Sequence, residues 1–294
     1  MIITNNYDLP QALVDVVTAR DYTPKDGHYT VTTLLKGVRE IHLTRRHYHE
    51  IEVDVSEMIW SIFGTAVHNI FAGKENPDYF KEERLHLPVG DYMLSGQFDE
   101  YHIDGMELND FKVTSVWQVI NKNFDDWQKQ GLMYAYLLMR HGIPTTIAKI
   151  TAMLRDWRYS EMKRNKDYPE RQVYVKKFVL KEQEIHDIEG FIEAKFAEID
   201  RYIDTPDDDL PVCTPEERWY RGEKHAVMGK NRKSAFRLLD THEEAEAWMK
   251  ENGKGDYIEC RPGTNIKCER YCDASKFCNF YYSEVAPEEA AVPF

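Results

Sequence analysis

The chain has no apolar run near the roughly 20 residues that a membrane-spanning helix requires. Its start, Met1 to Asn6, lacks the basic and apolar stretches of a secretion signal. A cytoplasmic location with no membrane partner is the expectation. Cysteine is sparse, with five in 294 residues; an odd number cannot all pair, and a reducing compartment disfavours disulfides. Positive charge is in deficit. Lys and Arg number 38 against 51 Asp and Glu, a net charge of -13, which excludes a protein that coats nucleic acid over its whole surface but leaves room for a local basic groove. No internal repeat or low-complexity tract is present. With 15 Gly, 12 Pro and 42% hydrophobic residues, the chain is neither fibrous nor disordered.

Positive charge is concentrated in two places. Arg155 to Lys181 holds nine basic and four acidic residues, and Arg218 to Arg237 holds seven basic and one acidic. Each is either a solvated face or a track for a polyanion. A Pro- and Asp-rich stretch from Asp204 to Pro215 reads as a linker. The expected organisation is therefore a core over 1–204 with an N-terminal helical segment, a basic cysteine-containing segment over 205–284, and a flexible tail over 285–294.

Within the core, Ile59, Ile62, Phe63, Ala66 and Ile70 recur at helical spacing after the candidate caps Asp54 and Ser56. The pattern predicts a helix whose apolar stripe faces the core. Glu83 to Val89, Tyr92 to Ile103 and Met106 to Ser115 read as three strands of an antiparallel meander, separated by the turn pairs Gly90-Asp91 and Asp104-Gly105. Phe124 to Arg140 is helical, Ile147 to Trp157 and Gln172 to Leu180 are strand-like, and Ile185, Ile188, Ile192, Phe196, Ile199 and Ile203 stripe a further helix. Thr241 and Glu244 form a capping box for a short helix ending at Gly253. The elements alternate as in a mixed α/β (α+β) fold with a central sheet flanked by helices.

The meander carries the chemistry. With Asp104-Gly105 as the turn, facing residues have numbers totalling 209, which sets Asp99 opposite Asp110. Two like charges so placed destabilise a sheet unless something compensates them, and a divalent cation is the natural compensator. Lys112 shares the face of Asp110. With Gly90-Asp91 as the turn, Glu82 faces Asp99 unless a bulge at Gly96 brings in Glu83 instead. The bland alternative is a solvated face whose acids merely align. His68 points away from the Ile59-Phe63-Ile70 stripe, which makes it an ordinary exposed histidine or a group facing a cleft.

Taken in order, Gly64-Thr65-Ala66-Val67-His68, Leu94-Ser95-Gly96-Gln97-Phe98-Asp99, Asp110-Phe111-Lys112, and Gln130 with Tyr134 resemble the PD-(D/E)XK nucleases of the RecB-like branch. That branch combines a G-x-x-x-H helix, a G-x-x-D strand, a [DE]-x-K strand and a Q-x-x-x-Y helix. Val31 to Leu35 followed by Arg45-Arg46-His47 is similar to the opening segment of phage-encoded members. The resemblance implies a restriction-endonuclease-like core in which His68, Asp99, Asp110 and the Phe111 carbonyl bind Mg²⁺ or Mn²⁺, with Glu82 as a further ligand. Lys112 would orient or activate the attacking water. Gln130 and Tyr134, one helical turn apart, would hold the substrate backbone or brace the site; alternatively they simply pack an amphipathic helix. The implied activity is a metal-dependent DNA nuclease, an exonuclease of phage or bacterial recombination type, acting on double-stranded ends or single strands in a bacterial cytoplasm, with a recombination or annealing protein as partner. A structure-specific endonuclease and a noncatalytic nucleic-acid-binding module are the alternatives.

The cysteines resemble those of iron-sulfur nucleases of CRISPR adaptation and AddAB-type recombination, in which one remote cysteine joins a C-terminal trio around a [4Fe-4S] cluster. Here the trio is Cys268, Cys272 and Cys278 and the remote member Cys213, which lies after the core where those families place it before. Zn²⁺ in a four-cysteine site is the alternative. Cys260 is a bystander or a replacement for Cys213.

Overall fold

The computed structural model describes residues 1–19, 23–73 and 76–286; the expected tail from residue 287 onward lies outside the described residues. Two compact units divide the chain, one ending at Asp204 and the other beginning at Thr205.

In the first unit the strands that position the site are β1 (His28–Thr30), β2 (Tyr79–Lys81), β3 (Arg84–Val89), β4 (Tyr92–Gln97), β5 (Glu100–His102), β6 (Glu107–Thr114), β7 (Ile147–Leu154) and β8 (Val173–Val179). The principal helices are α1 (Ile59–Ala72), α2 (Asp125–Arg140) and α3 (Glu182–Arg201). A five-stranded sheet runs β8-β7-β6-β5-β2, and a three-stranded sheet runs β1-β4-β3. Both are mixed: β6 and β7 are parallel, as are β1 and β4, while the other pairs are antiparallel. The fold is thus α/β, with mixed sheets flanked by helices.

The hairpin registers follow the turn chemistry. Arg84 pairs with Gln97 and Val89 with Tyr92, and Glu100 pairs with Asn109 and His102 with Glu107. The second turn is wider than two residues, spanning Ile103 to Met106, with Met106 at φ +46°. The meander expected as three unbroken strands is a correction. Tyr92 to Ile103 breaks at Phe98 and Asp99, so β4 belongs to one sheet and β5 to the other. Facing that break, Glu82 adopts φ +51° and donates its amide to the Asp99 carbonyl at 3.0 Å. A left-handed non-glycine residue costs about 1–2 kcal/mol, and here it lets one hairpin pass between two sheets without losing register.

The core is shared by Leu94, Phe98, Tyr101 and Leu108 from the strands, Met133, Leu137 and Leu138 from α2, and Ile188, Ile192, Phe196 and Ile199 from α3. Every residue of α2 from Gln130 to Leu138 is buried, as expected of a helix enclosed on all sides. Gly142 ends it in the left-handed conformation, at φ +78°.

α1 departs from expectation. Asp54 accepts the Ser56 amide at 2.9 Å, as a cap should, but the apolar stripe does not enter the core. Phe63 and Ile70 are 54% and 72% exposed, and no residue of the helix is fully buried. The face turned to the sheet instead carries His68, and Phe71 stacks on Phe111 with ring centroids 4.4 Å apart. His68 meets the sheet acids while Phe63 and Ile70 of the stripe stay exposed.

The second unit has a sheet and a helix of its own. β9 (Lys224–Met228) lies between β10 (Arg237–Leu239) and β11 (Tyr257–Arg261) in one sheet. α4 (His242–Asn252) begins with the Thr241–Glu244 capping box and ends at Gly253, φ +60°. Ala226, Val227, Met228 and Ala245 are buried, so this unit has a small core of its own.

Candidate active site

Three elements converge on one patch. The Asp99 side chain sits at the break between β4 and β5, Glu82 precedes β3, and His68 reaches in from α1. His68 Nδ1 lies 3.0 Å from Asp99 Oδ1 and 3.5 Å from Glu82 Oε1. One ligating atom from each of the three lies within 4.8 Å of the others. Asp99 is 93% buried, its side chain only 7% exposed, and its second oxygen accepts the Phe111 amide at 2.6 Å. That bond ties the acid to β6 and aims Oδ1 at the imidazole.

Asp110 and Lys112 form an adjacent group on β6. Lys112 Nζ stands 2.9 Å from Asp110 Oδ2 and donates to Gln130 Oε1 at 2.9 Å. Gln130 reaches Tyr134 at 3.4 Å, so α2 holds the lysine from behind. The buried Asp110 Oδ2 accepts no hydrogen bond of good geometry; its contact is the ion pair alone. On the other flank, Gln97 donates to Glu82 Oε2 at 3.0 Å and accepts from Arg84 at 2.8 Å.

The electrostatics are those of crowded acids. Burial, with the neighbouring Asp99 charge, pushes the Asp110 carboxyl upward despite Lys112. Glu82 is raised by burial first and by Asp99 second. His68 is raised mainly by its hydrogen bond to Asp99, and burial lifts the Tyr134 phenol. Three carboxylates with one ammonium and one imidazole leave uncompensated negative charge. Two carboxylates and an imidazole with converging lone pairs suit an octahedral-preferring divalent cation such as Mg²⁺ or Mn²⁺. The donor set fits such an ion.

All the residues singled out on the hairpin and helices therefore lie in two touching groups: His68 with Glu82 and Asp99, and Asp110 with Lys112, Gln130 and Tyr134. Asp110 does not join the close trio but is engaged by Lys112. Glu83, the alternative to Glu82, is not at the centre: its carbonyl receives the Phe98 amide at 3.3 Å, so no bulge shifts the register. Sequence reasoning missed the role of Gly96. A Cβ there would lie 2.7 Å from Tyr134 Cε1 and 2.8 Å from Leu137 Cδ1, so α2 is seated against bare backbone.

The second basic stretch is partly used internally. Arg218 bonds Asn265 at 3.0 Å and lies 4.7 Å from the Phe280 ring, Lys224 pairs with Asp240, and Arg232 covers Phe236 at 4.2 Å. Trp219 and Tyr220 remain exposed, at 41% and 45%.

No family model matches the chain, and no curated protein matches it. Among solved structures it is similar to SSO0001, with 12% identity over 64% of this chain and 82% of that one, at a TM-score of 0.45. It is also similar to the alkaline exonuclease LHK-Exo from Laribacter hongkongensis, with 14% identity over 60% and 90% and a TM-score of 0.34. A phage-related exonuclease from Haemophilus somnus 129PT gives 11% identity over 65% and 79%, at 0.32. Likenesses this distant carry no functional argument, which leaves the function to the chemistry of the site. Among the described residues no helix is long and apolar enough to cross a membrane.

Proposed function

We propose that the chain is a metal-dependent deoxyribonuclease that hydrolyses phosphodiester bonds in DNA, working from ends as an exonuclease. The observation that carries this reading is the convergence of His68, Glu82 and Asp99 beside the Asp110–Lys112–Gln130 group. His68, Glu82 and Asp99 would hold Mg²⁺ or Mn²⁺, with Asp110 and the Phe111 carbonyl as neighbouring oxygen donors. When bound, the ion supplies a lowered pKa for water and charge stabilisation at phosphate. The protein's own part is positional. Lys112, pinned between Asp110 and Gln130, presents an ammonium where negative charge develops and orients the attacking water. Asp110 offers a basic oxygen, and the Asp99–Phe111 bond fixes the spacing between the two groups. Arg155 to Lys181 and Arg218 to Arg237 supply cations for phosphates, with Trp219 and Tyr220 available for stacking on unpaired bases.

The finer reading is an enzyme of phage or bacterial DNA recombination, acting in the cytoplasm beside an annealing or recombination protein. Its cysteines 213, 268, 272 and 278 would hold a structural [4Fe-4S] cluster, or Zn²⁺ in its place. The decisive experiment incubates the purified protein with end-labelled linear and covalently closed circular DNA, with Mg²⁺, Mn²⁺ or EDTA. Metal-dependent loss of the linear label with the circle intact supports an exonuclease. Cutting of the circle indicates an endonuclease, and binding without cleavage in either metal returns the chain to a noncatalytic module.

A further inference from the structure

The second unit contains another meeting of metal-ligating side chains, with no part in the proposed cleavage chemistry. Glu223 stands two residues before His225, so in extended chain their side chains leave the same face. His225, on β9, is directly paired with Cys260 on β11, which puts the thiol on that face as well. Glu223 Oε1 lies 3.0 Å from His225 Nε2. One ligating atom from each of the three residues lies within 4.8 Å of the other two. The three positions are unequal in a useful way. The His225 side chain is only 12% exposed and is held edge-to-face against His242 at 5.6 Å, whereas Glu223 and Cys260 are exposed and free to adjust around it.

We propose that Glu223, His225 and Cys260 bind a zinc-class divalent cation, with water completing a tetrahedral shell. Zn–S bonds of about 2.3 Å and Zn–N bonds of about 2.0 Å place neighbouring donor atoms about 3.5 Å apart. Small rotations of the exposed glutamate and cysteine about the fixed imidazole close the trio to that size. The donor set decides the metal. A thiolate and an imidazole beside one carboxylate favour Zn²⁺, Co²⁺ or another borderline ion and disfavour Mg²⁺ and Ca²⁺. The His68–Glu82–Asp99 group contains no sulfur and selects the opposite class, so the chain offers two sites that sort metals by ligand softness. The ion would clip β9 to β11 across their pairing, and binding would release the thiol proton.

The test is a Co²⁺ titration of metal-stripped, full-length protein, with bound equivalents counted by elemental analysis. The sulfur-to-cobalt charge-transfer band and the visible bands of tetrahedral Co²⁺ report ligation. Cysteines 213, 268, 272 and 278 also offer thiolates, so the titration is repeated in a Cys272→Ser background. Cys260→Ser and His225→Gln should each lose one equivalent in both backgrounds. Glu223→Gln, at an exposed position that leaves folding intact, should weaken that equivalent by at least about tenfold. Equal stoichiometry and affinity in wild type and all three variants would overturn the proposal. So would loss in Cys260→Ser alone with His225→Gln unchanged, since that assigns the thiol to another centre. DNA cleavage does not enter the readout, so this result and the nuclease reading stand or fall separately.

Discussion

The Tyr134 ring occupies the space that a side chain at position 96 would need, with Tyr134 Cε1 only 2.7 Å from where a Cβ on Gly96 would stand. Because Gly96 lies three residues before Asp99 and Tyr134 contacts Gln130, which holds Lys112, the contact couples the seating of α2 to the placement of two site groups. Gly96→Ala should cost about 1–3 kcal/mol through overpacking and lower activity disproportionately. Thermal melting together with a cleavage assay checks both. Wild-type activity in a destabilised variant would show that the contact serves packing alone.

Asp110→Asn should reduce cleavage at least about 100-fold while melting no lower than wild type in EDTA, since it removes a charge that burial and Asp99 disfavour. Lys112→Met should also reduce cleavage at least about 100-fold, yet leave Mn²⁺ affinity near wild type. Loss of Mn²⁺ binding in Lys112→Met would move the lysine into a structural role.

The contribution of the His68, Glu82 and Asp110 group to stability without metal should fall as pH rises. His68 has a folded pKa raised by Asp99, so its contribution is complete below the unfolded value of about 6.5 and disappears as pH climbs through the raised value. Glu82 and Asp110 are also raised; folding favours their protonated forms, so they too lose stability with increasing pH, starting near pH 4. Denaturation in EDTA across pH 4 to 9 measures the slope, and His68→Gln should flatten its upper part. Mn²⁺ affinity should move the opposite way, rising with pH as the imidazole and carboxyls deprotonate.

Replacing Lys230, Arg232 and Lys233 together should weaken DNA binding and flatten its salt dependence by about two to three in the logarithmic slope. An unchanged slope would assign these residues to the solvated surface, consistent with the covering of Phe236 by Arg232.

For the cysteines, anaerobic purification should yield brown protein containing iron and sulfide, and Cys272→Ser should lose the colour and destabilise the second unit. Colourless protein with stoichiometric zinc would establish the four-cysteine zinc alternative, and absence of both metals would overturn the cluster.

Much of the hairpin register was legible because a strand alternates with period two and a turn pair fixes register: Glu82 faces Asp99 through a backbone bond, and Glu100 pairs with Asn109, but the ladder stops there, at the break where Asp99 accepts the Phe111 amide. The facing of α1 was not legible. Its apolar periodicity points one way, whereas the side chain that anchors it, His68, points another, and helical periodicity carries no information about a partner on a distant strand. The Lys224–Met228 strand was obscured for a related reason. Lys224 and the cations around it read as a surface tract, although Ala226, Val227 and Met228 are buried. Gly96 was visible as part of a motif, but its reason lies 38 residues away, at Tyr134.

The weak seating of α1 has a dynamic consequence. A helix without a fully buried residue opens locally at far lower free energy than the enclosed α2, so amides from Phe63 to Ala72 should exchange with deuterium well before those from Gln130 to Leu138. Yet α1 is the element that delivers His68. An ion joining His68 to Asp99 and Glu82, as proposed, would therefore also fasten this exposed helix to the sheet, and saturating Mn²⁺ should slow exchange in α1 selectively while leaving α2 unchanged.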